Sequence, residues 1–211
     1  MGVIKRGILG GFSNKVANVV GSSWKGIAVI KSLPLSVANP RTAGQITQRS
    51  KMTWAVAFAK LILVSMIKPL NDRFAQQKSG FNLWIQRNIS KFQDDNLEVT
   101  GTLVLCEGSL TPVAVTTQTS SAAAHTITLT YDDNTGEGDA LATDVLYYMA
   151  VNTDVGEAAF TIADDRTSSP AVMAIPATWA AGANIVTNWA FRRADGSKVS
   201  NSDGGNIILG A

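Results

Sequence analysis

Val145-Leu-Tyr-Tyr-Met-Ala-Val151 is an unbroken apolar and aromatic run bounded by Asp144 and Asn152. Residues of this kind favour a pleated strand, and the run has a strand's length rather than a helix's. It is a candidate central strand, as is Thr126-Ile-Thr-Leu-Thr130. Around these two, further β-prone runs recur: Val99–Cys106, Val113–Thr117, His125–Tyr131, Asp144–Asn152, Ala158–Ile162, Ala171–Ile175, Ile185–Arg192 and Asn206–Leu209. Turn residues separate them at the spacing of a β-sandwich. Residues 97–211 are therefore expected to form an immunoglobulin-like or fibronectin-III-like antiparallel β-sandwich, without paired cysteines.

The texture upstream is different. Asn39-Pro40-Arg41-Thr42 is a helix-start signal, a capping residue followed by proline at the first helical position. From Thr42 to Ile67 the positions Ile46, Trp54, Phe58, Leu61, Ile62 and Ser65 fall near helical spacing and give one apolar face, and Pro69 is expected to stop or kink the helix. Phe81 to Phe92 carries Phe81, Trp84, Ile85, Ile89 and Phe92 on one side. Two helices with matching apolar faces predict a helical hairpin. Residues 1–38 are glycine-rich and β-leaning, with Val16–Val20 and Ile27–Ile30 flanking Gly21-Ser-Ser-Trp-Lys-Gly26, the pattern of a hairpin or extended arm. The fold class is α+β, divided as a basic arm over 1–38, a helical region over 39–96 and an acidic β-sandwich over 97–211.

The formal net charge of +2 conceals a division along the same lines. Residues 1–71 hold ten Lys or Arg and no acid, and residues 1–92 hold fourteen against Asp72 alone. Residues 93–211 hold four basic residues against fifteen acids. Such asymmetry points to an anionic partner or to complementary self-contact. Lys5, Arg6, Lys15, Trp24, Lys25 and Arg41 are the candidate assembly or anion contacts.

Catalytic and metal chemistry is poorly supplied. Cys106 is the sole cysteine and His125 the sole histidine, with no nucleophile-elbow motif near either. Asp132, Asp133, Asn134, Glu137 and Asp139 crowd hard oxygen ligands into one loop, the chemistry of a calcium site. The spacing of an EF-hand is missing, and Asp-Asn-Thr-Gly is ordinary turn chemistry. No metal and no cofactor is expected. Gly7, Gly10 and Gly11 lack the lysine of a P-loop. No secretion signal is evident, and the apolar run Met52–Ile67, broken by Lys60, is shorter than the ~20 residues of a membrane span.

Gly7-Ile-Leu-Gly-Gly-Phe-Ser-Asn-Lys-Val-Ala-Asn-Val-Val-Gly-Ser-Ser-Trp-Lys-Gly26, Ser32-Leu-Pro34 and Asn39-Pro-Arg-Thr42 resemble an uncharacterised family of chains of about this length. Thr130–Gly138, Ala140–Asp144 and Asp195–Ser202 fit the same pattern. The resemblance implies a context, Bacteroidota and the phages that infect them, and no catalytic or binding residue. The expected function is a non-enzymatic structural subunit of a virion or comparable particle, docking through the basic end and found in the virion or in the bacterial cytoplasm during assembly. Its expected partners are further copies of itself or neighbouring assembly proteins. The alternatives are a nucleic-acid-associated protein using residues 1–92, and a cell-surface adhesion or carbohydrate-binding module.

Overall fold

A computed structural model describes residues 3–4, 11–24, 27–36, 39–162 and 165–211. The chain divides into two compact units, residues 1–42 and 43–211. It mixes helices with three antiparallel sheets, and no sheet closes into a barrel among the described residues.

In the first unit β1 (Val3–Ile4), β2 (Phe12–Val16), β3 (Val19–Trp24) and β4 (Ile27–Ser32) form a sheet in chain order. The expected hairpin is thus part of a four-stranded meander. β2 and β3 join through the two-residue turn Ala17-Asn18, where Ala17 takes a φ of 50° that matches the twist of a tight hairpin. Gly21 faces Asn14 across this pair, and a Cβ there would lie 2.1 Å from the carbonyl oxygen of Phe12. Only glycine allows that approach.

The second unit begins with α1 (Ala43–Ile62), which continues without a break through a π-helical turn (Leu63–Ile67) into α2 (Lys68–Asn71). The helix starts at Ala43, so Pro40 precedes it and does not occupy the first helical position, and the helix does not stop at Pro69. The π-turn absorbs the proline: Lys68 N–H reaches back to Leu63 O, and the wider turn accommodates a residue that cannot donate. At 29 residues the continuous helix is long and apolar enough, by length and composition, to cross a membrane. Its one face is nonetheless occupied: Ala55, Phe58, Ala59, Ile62, Met66, Ile67 and Leu70 are buried in a protein core. α3 (Gly80–Asn88) is capped by Ser79, whose hydroxyl accepts from Asn82 N–H, and runs into a 3-10 turn (Ile89–Lys91). Phe58 stacks on Trp84 at 5.9 Å, and Phe92 meets both rings edge-on.

Seven strands follow: β5 (Val115–Ser121), β6 (Thr126–Tyr131), β7 (Val145–Asn152), β8 (Glu157–Thr161), β9 (Ala171–Ala174), β10 (Asn184–Arg192) and β11 (Asp203–Ile208). They form a three-stranded sheet, β5-β6-β9, and a four-stranded sheet, β11-β10-β7-β8. Ile127, Leu129 and Met173 of the first meet Tyr148, Trp189 and Phe191 of the second in a shared core. The opposite face of the four-stranded sheet is also covered. Tyr147, Met149, Val151, Val186 and Ala190 pack with Phe58 and Trp84 in a second core. The strand β7 is therefore buried on both faces, which is why its sequence is apolar without alternation.

Residues 43–96 fall in one compact unit with 97–211, and the helices use one face of the central sheet as their own core. One expectation for the strands differs. The run Val99–Cys106 is not a strand, apart from a single bridge between Phe92 and Val99. Its backbone is held by side chains instead of a ladder. Asn88 donates to Val104 O at 2.8 Å and accepts from Val104 N–H at 2.7 Å. Asn71 donates to Leu105 O at 2.9 Å, Asn188 to Leu103 O at 2.9 Å, and Leu105 N–H donates to the Ser202 hydroxyl at 2.8 Å. These three buried asparagines satisfy the polar backbone of a segment lying between helices and sheet.

Candidate assembly surface

The N-terminal sheet buries little among its described side chains. Gly21 is buried, Phe12 and Val20 are half-buried, and every residue of β4 is exposed. Ile27 and Ile30 are 61% and 63% exposed, and Val16, Val19, Val29 and Leu35 are exposed with them. A folded sheet ordinarily covers one apolar face. Here both faces of β4 are exposed, and among the described residues its outer edge has no strand partner.

The charge on this unit has one sign. Residues 1–42 carry six basic residues and no acid. Lys15 is exposed on β2, Lys31 is exposed on β4, and Arg41 is exposed just before α1. Trp24 closes β3 in register with Ile27. Lys5, Arg6 and Lys25 lie outside the described residues. The first half of α1 continues the exposed, basic character: nothing from Ala43 to Trp54 is fully buried, and Ile46 and Met52 are exposed beside Arg49.

Residues 43–211 carry twelve basic residues against sixteen acids, a net −4. Part of that acid is spent internally, in the loop considered for calcium. Asn134 accepts from Arg166 Nη1 at 2.6 Å and Asp139 accepts from Lys198 at 2.7 Å. Asp139 also accepts from the Thr111 N–H and hydroxyl, and Asp133 accepts from Thr135 N–H. Lys198 and the Thr111 donors hold the Asp139 carboxyl well below the ordinary carboxylate range. Asp132 and Glu137 stand exposed without joining them. Among the described residues no three His, Cys, Asp or Glu side chains converge to hold a metal ion. Of the loop's oxygens, the Asp139 carboxylate is paired with Lys198 and the Asn134 amide oxygen is held by Arg166.

A family profile described as a family of unknown function, DUF6266, matches residues 11–204. The chain belongs to the DUF6266 family. No curated protein and no solved structure matches it.

In this DUF6266 chain the residues weighed for catalysis are far apart in character. Cys106 is buried, donates to Ser200 O at 3.2 Å, and has its thiol pushed up to about 12 by burial. A thiol so placed is not a nucleophile near neutral pH. His125 sits exposed in the β5–β6 turn at a φ of 52°.

The most connected polar cluster was not foreseen from sequence. Asp144 and Arg166 are both fully buried, with Arg166 Nε donating to Asp144 Oδ2 at 3.0 Å. Arg166 Nη2 donates to Thr111 O at 2.6 Å, and its guanidinium lies 4.6 Å from the centre of the Phe191 ring. Arg193 Nε is 2.8 Å from Asp144 Oδ1, with its N–H turned off line, so this contact is an ion pair without a hydrogen bond. The cluster ties the 132–144 loop to β10 and to the segment before β5. One sequence signal points to it: Arg166 is one of four basic residues in an otherwise acidic stretch.

Proposed function

We propose that this DUF6266 protein is a non-enzymatic structural subunit of an assembly, a virion or phage-like particle, that docks through its basic N-terminal half and displays a β-sandwich. The observation that carries this is the N-terminal sheet, exposed on both faces of β4 and carrying cations with no acid. A sheet of that kind gains a covered face by binding something else, and complementary charge sets its partner and register. Seven antiparallel strands split three and four support an immunoglobulin/fibronectin-III-like type for the displayed layer. The partners are other copies or neighbouring assembly proteins, in the virion or in the bacterial cytoplasm during assembly, with Bacteroidota and their phages as the context. The helix over 43–71 serves as a core helix in this account, since its apolar face is already covered by β7 and β10.

The test uses the full chain with Lys15→Glu, Lys31→Glu and Arg41→Glu together. These exposed sites leave the core untouched, so the variant should fold and fail to assemble. Assembly at the native level would remove the proposal.

A second reading is favoured by one observation. The exposed first half of α1 adds Arg49 and Lys51 to a stretch with no acid up to residue 71, as a polyanion-binding surface would. It requires oligonucleotide binding whose log affinity falls linearly with log salt; no binding at low salt excludes it.

A further inference from the structure

The partner of the N-terminal sheet can be narrowed by sign and by edge. This step rests on the assembly role proposed above. A symmetric pairing of two N-terminal units would set six cations against six, with no acid on either side. Like charges across a contact oppose it. The complement lies in residues 43–211, where the balance is negative.

The free edges of that unit are not equivalent. The edge of β11 is engaged: Thr102 donates to Gly204 O, and Asn206 donates to Val99 O. β5 and β9 end the other sheet and are both neutral, Val-Thr-Thr-Gln-Thr-Ser-Ser and Ala-Val-Met-Ala, and the end of β5 is tied to the C-terminus through Ser120 and Ser121. β8 ends its sheet with a partner on one side only, β7. No other backbone hydrogen bond among the described residues involves Glu157–Thr161. Phe160 is 45% exposed on this strand, and Val155 is exposed in the turn before it. Asp154, Glu157 and Asp165 flank it with acid, and no Lys or Arg falls between 93 and 165. An edge with no second backbone partner among the described residues, an exposed aromatic and a negative margin coincide at β8, where Glu157 at the strand's start accepts from Trp179 Nε1 and the Thr178 hydroxyl.

β4 offers the opposite set. It is a six-residue strand at the end of its sheet, Ile-Ala-Val-Ile-Lys-Ser, exposed throughout and carrying Lys31. We propose that β4 of one copy adds to the β8 edge of a second copy of this chain, joining the basic sheet of the first to the acidic central sheet of the second. Strand addition supplies main-chain hydrogen bonds, and Phe160 gains cover from the exposed apolar residues of β4. Because donor and acceptor edges differ, the contact is head-to-tail, and it propagates into a ring or a filament.

Disulfide trapping tests the pairing in the full chain. Cys106 is buried, so native background is low. One set of chains carries Ala28→Cys, Val29→Cys or Ile30→Cys singly, and a second carries Phe160→Cys. Facing residues on neighbouring strands lie about 4.5–5.5 Å apart at Cα, within disulfide reach. The expected result is a covalent dimer when the two sets are mixed at low salt under mild oxidation, strongest for one β4 position, and little dimer from either set alone. Cross-linking of the β4 set by itself, with none to Phe160→Cys, overturns the β8 assignment and leaves the assembly role standing. Oligomers by light scattering with no cross-link to Phe160→Cys do the same. A chain that stays monomeric, or that changes size only when oligonucleotide is added, overturns both.

Discussion

Arg166 and Asp144 form a fully buried ion pair, Nε to Oδ2 at 3.0 Å, between the Phe191 ring and the backbone of Thr111. Asp144 also accepts from Leu141 N–H at 2.9 Å, so the carboxylate fixes its own loop as well as the arginine. Arg193 also pairs with Asp144, so it is loss of the carboxylate that strands a charge, the Arg166 guanidinium, in the interior. Asp144→Ala should therefore destabilise the chain by about 3–5 kcal/mol. Equilibrium urea unfolding measures it, and a loss below about 1 kcal/mol, the size of an exposed pair, would contradict the burial described.

Asn88 holds both backbone groups of Val104 and donates to Trp84 O as well. Asn88→Ala leaves Val104 N–H and C=O without their partner in a half-buried place, at about 1–3 kcal/mol in all. Asn88→Asp keeps the acceptor and should lose less than Asn88→Ala only under acid, where the protonated carboxyl can donate. Comparing the urea midpoints of the two variants at neutral and acid pH tests the clamp.

The sequence carried some of these features and not others, for physical reasons. β7 and β10 were legible because a strand buried on both faces is apolar at every position, as in Val145–Val151. The same uniformity hid the helical layer: with Tyr147, Met149 and Val151 as apolar as Leu146, Tyr148 and Ala150, nothing in the pattern says what covers the second face. Val99–Cys106 misled because Leu103, Leu105 and Cys106 are core residues on irregular backbone, made tolerable by Asn71, Asn88 and Asn188 from distant positions. The basic arm was legible from Lys15, Lys31 and Arg41. That its strands extend to a sheet with β4 exposed throughout was not, since alternation alone does not report which faces lack a partner.

Acid should loosen the second unit. Asp133, Asp139, Asp165 and Asp195 have carboxyls held below the ordinary value of 3.8, through Thr135, Lys198, Thr167 and Ser197 respectively. A group whose pKa is lower in the folded state stabilises it above the unfolded value, and that contribution is lost as pH falls through the folded one. Stability should be level above about pH 5 and decline below about pH 4. Lys198→Met, which removes the largest of the contacts holding the Asp139 carboxyl down and leaves those from Thr111, should move the acid transition to higher pH; an unchanged midpoint by circular dichroism would contradict the assignment.

Burial places the Cys106 thiol out of reach as well as raising its pKa to about 12. A thiol reagent at mildly alkaline pH should titrate no cysteine in the native chain and one in urea. Rapid reaction in the native state would place Cys106 at the surface.

The most direct test of the docking role is the mass of the full chain by light scattering as salt is varied. At about 0.01 M the Debye length is near 30 Å, and at about 1 M it is near 3 Å. The expected result is a discrete oligomer or growing filament at low salt that dissociates at high salt, and a monomer at both when Lys15, Lys31 and Arg41 are changed to Glu. A native chain that is monomeric throughout, or an oligomer indifferent to both salt and charge reversal, would contradict docking by the basic sheet.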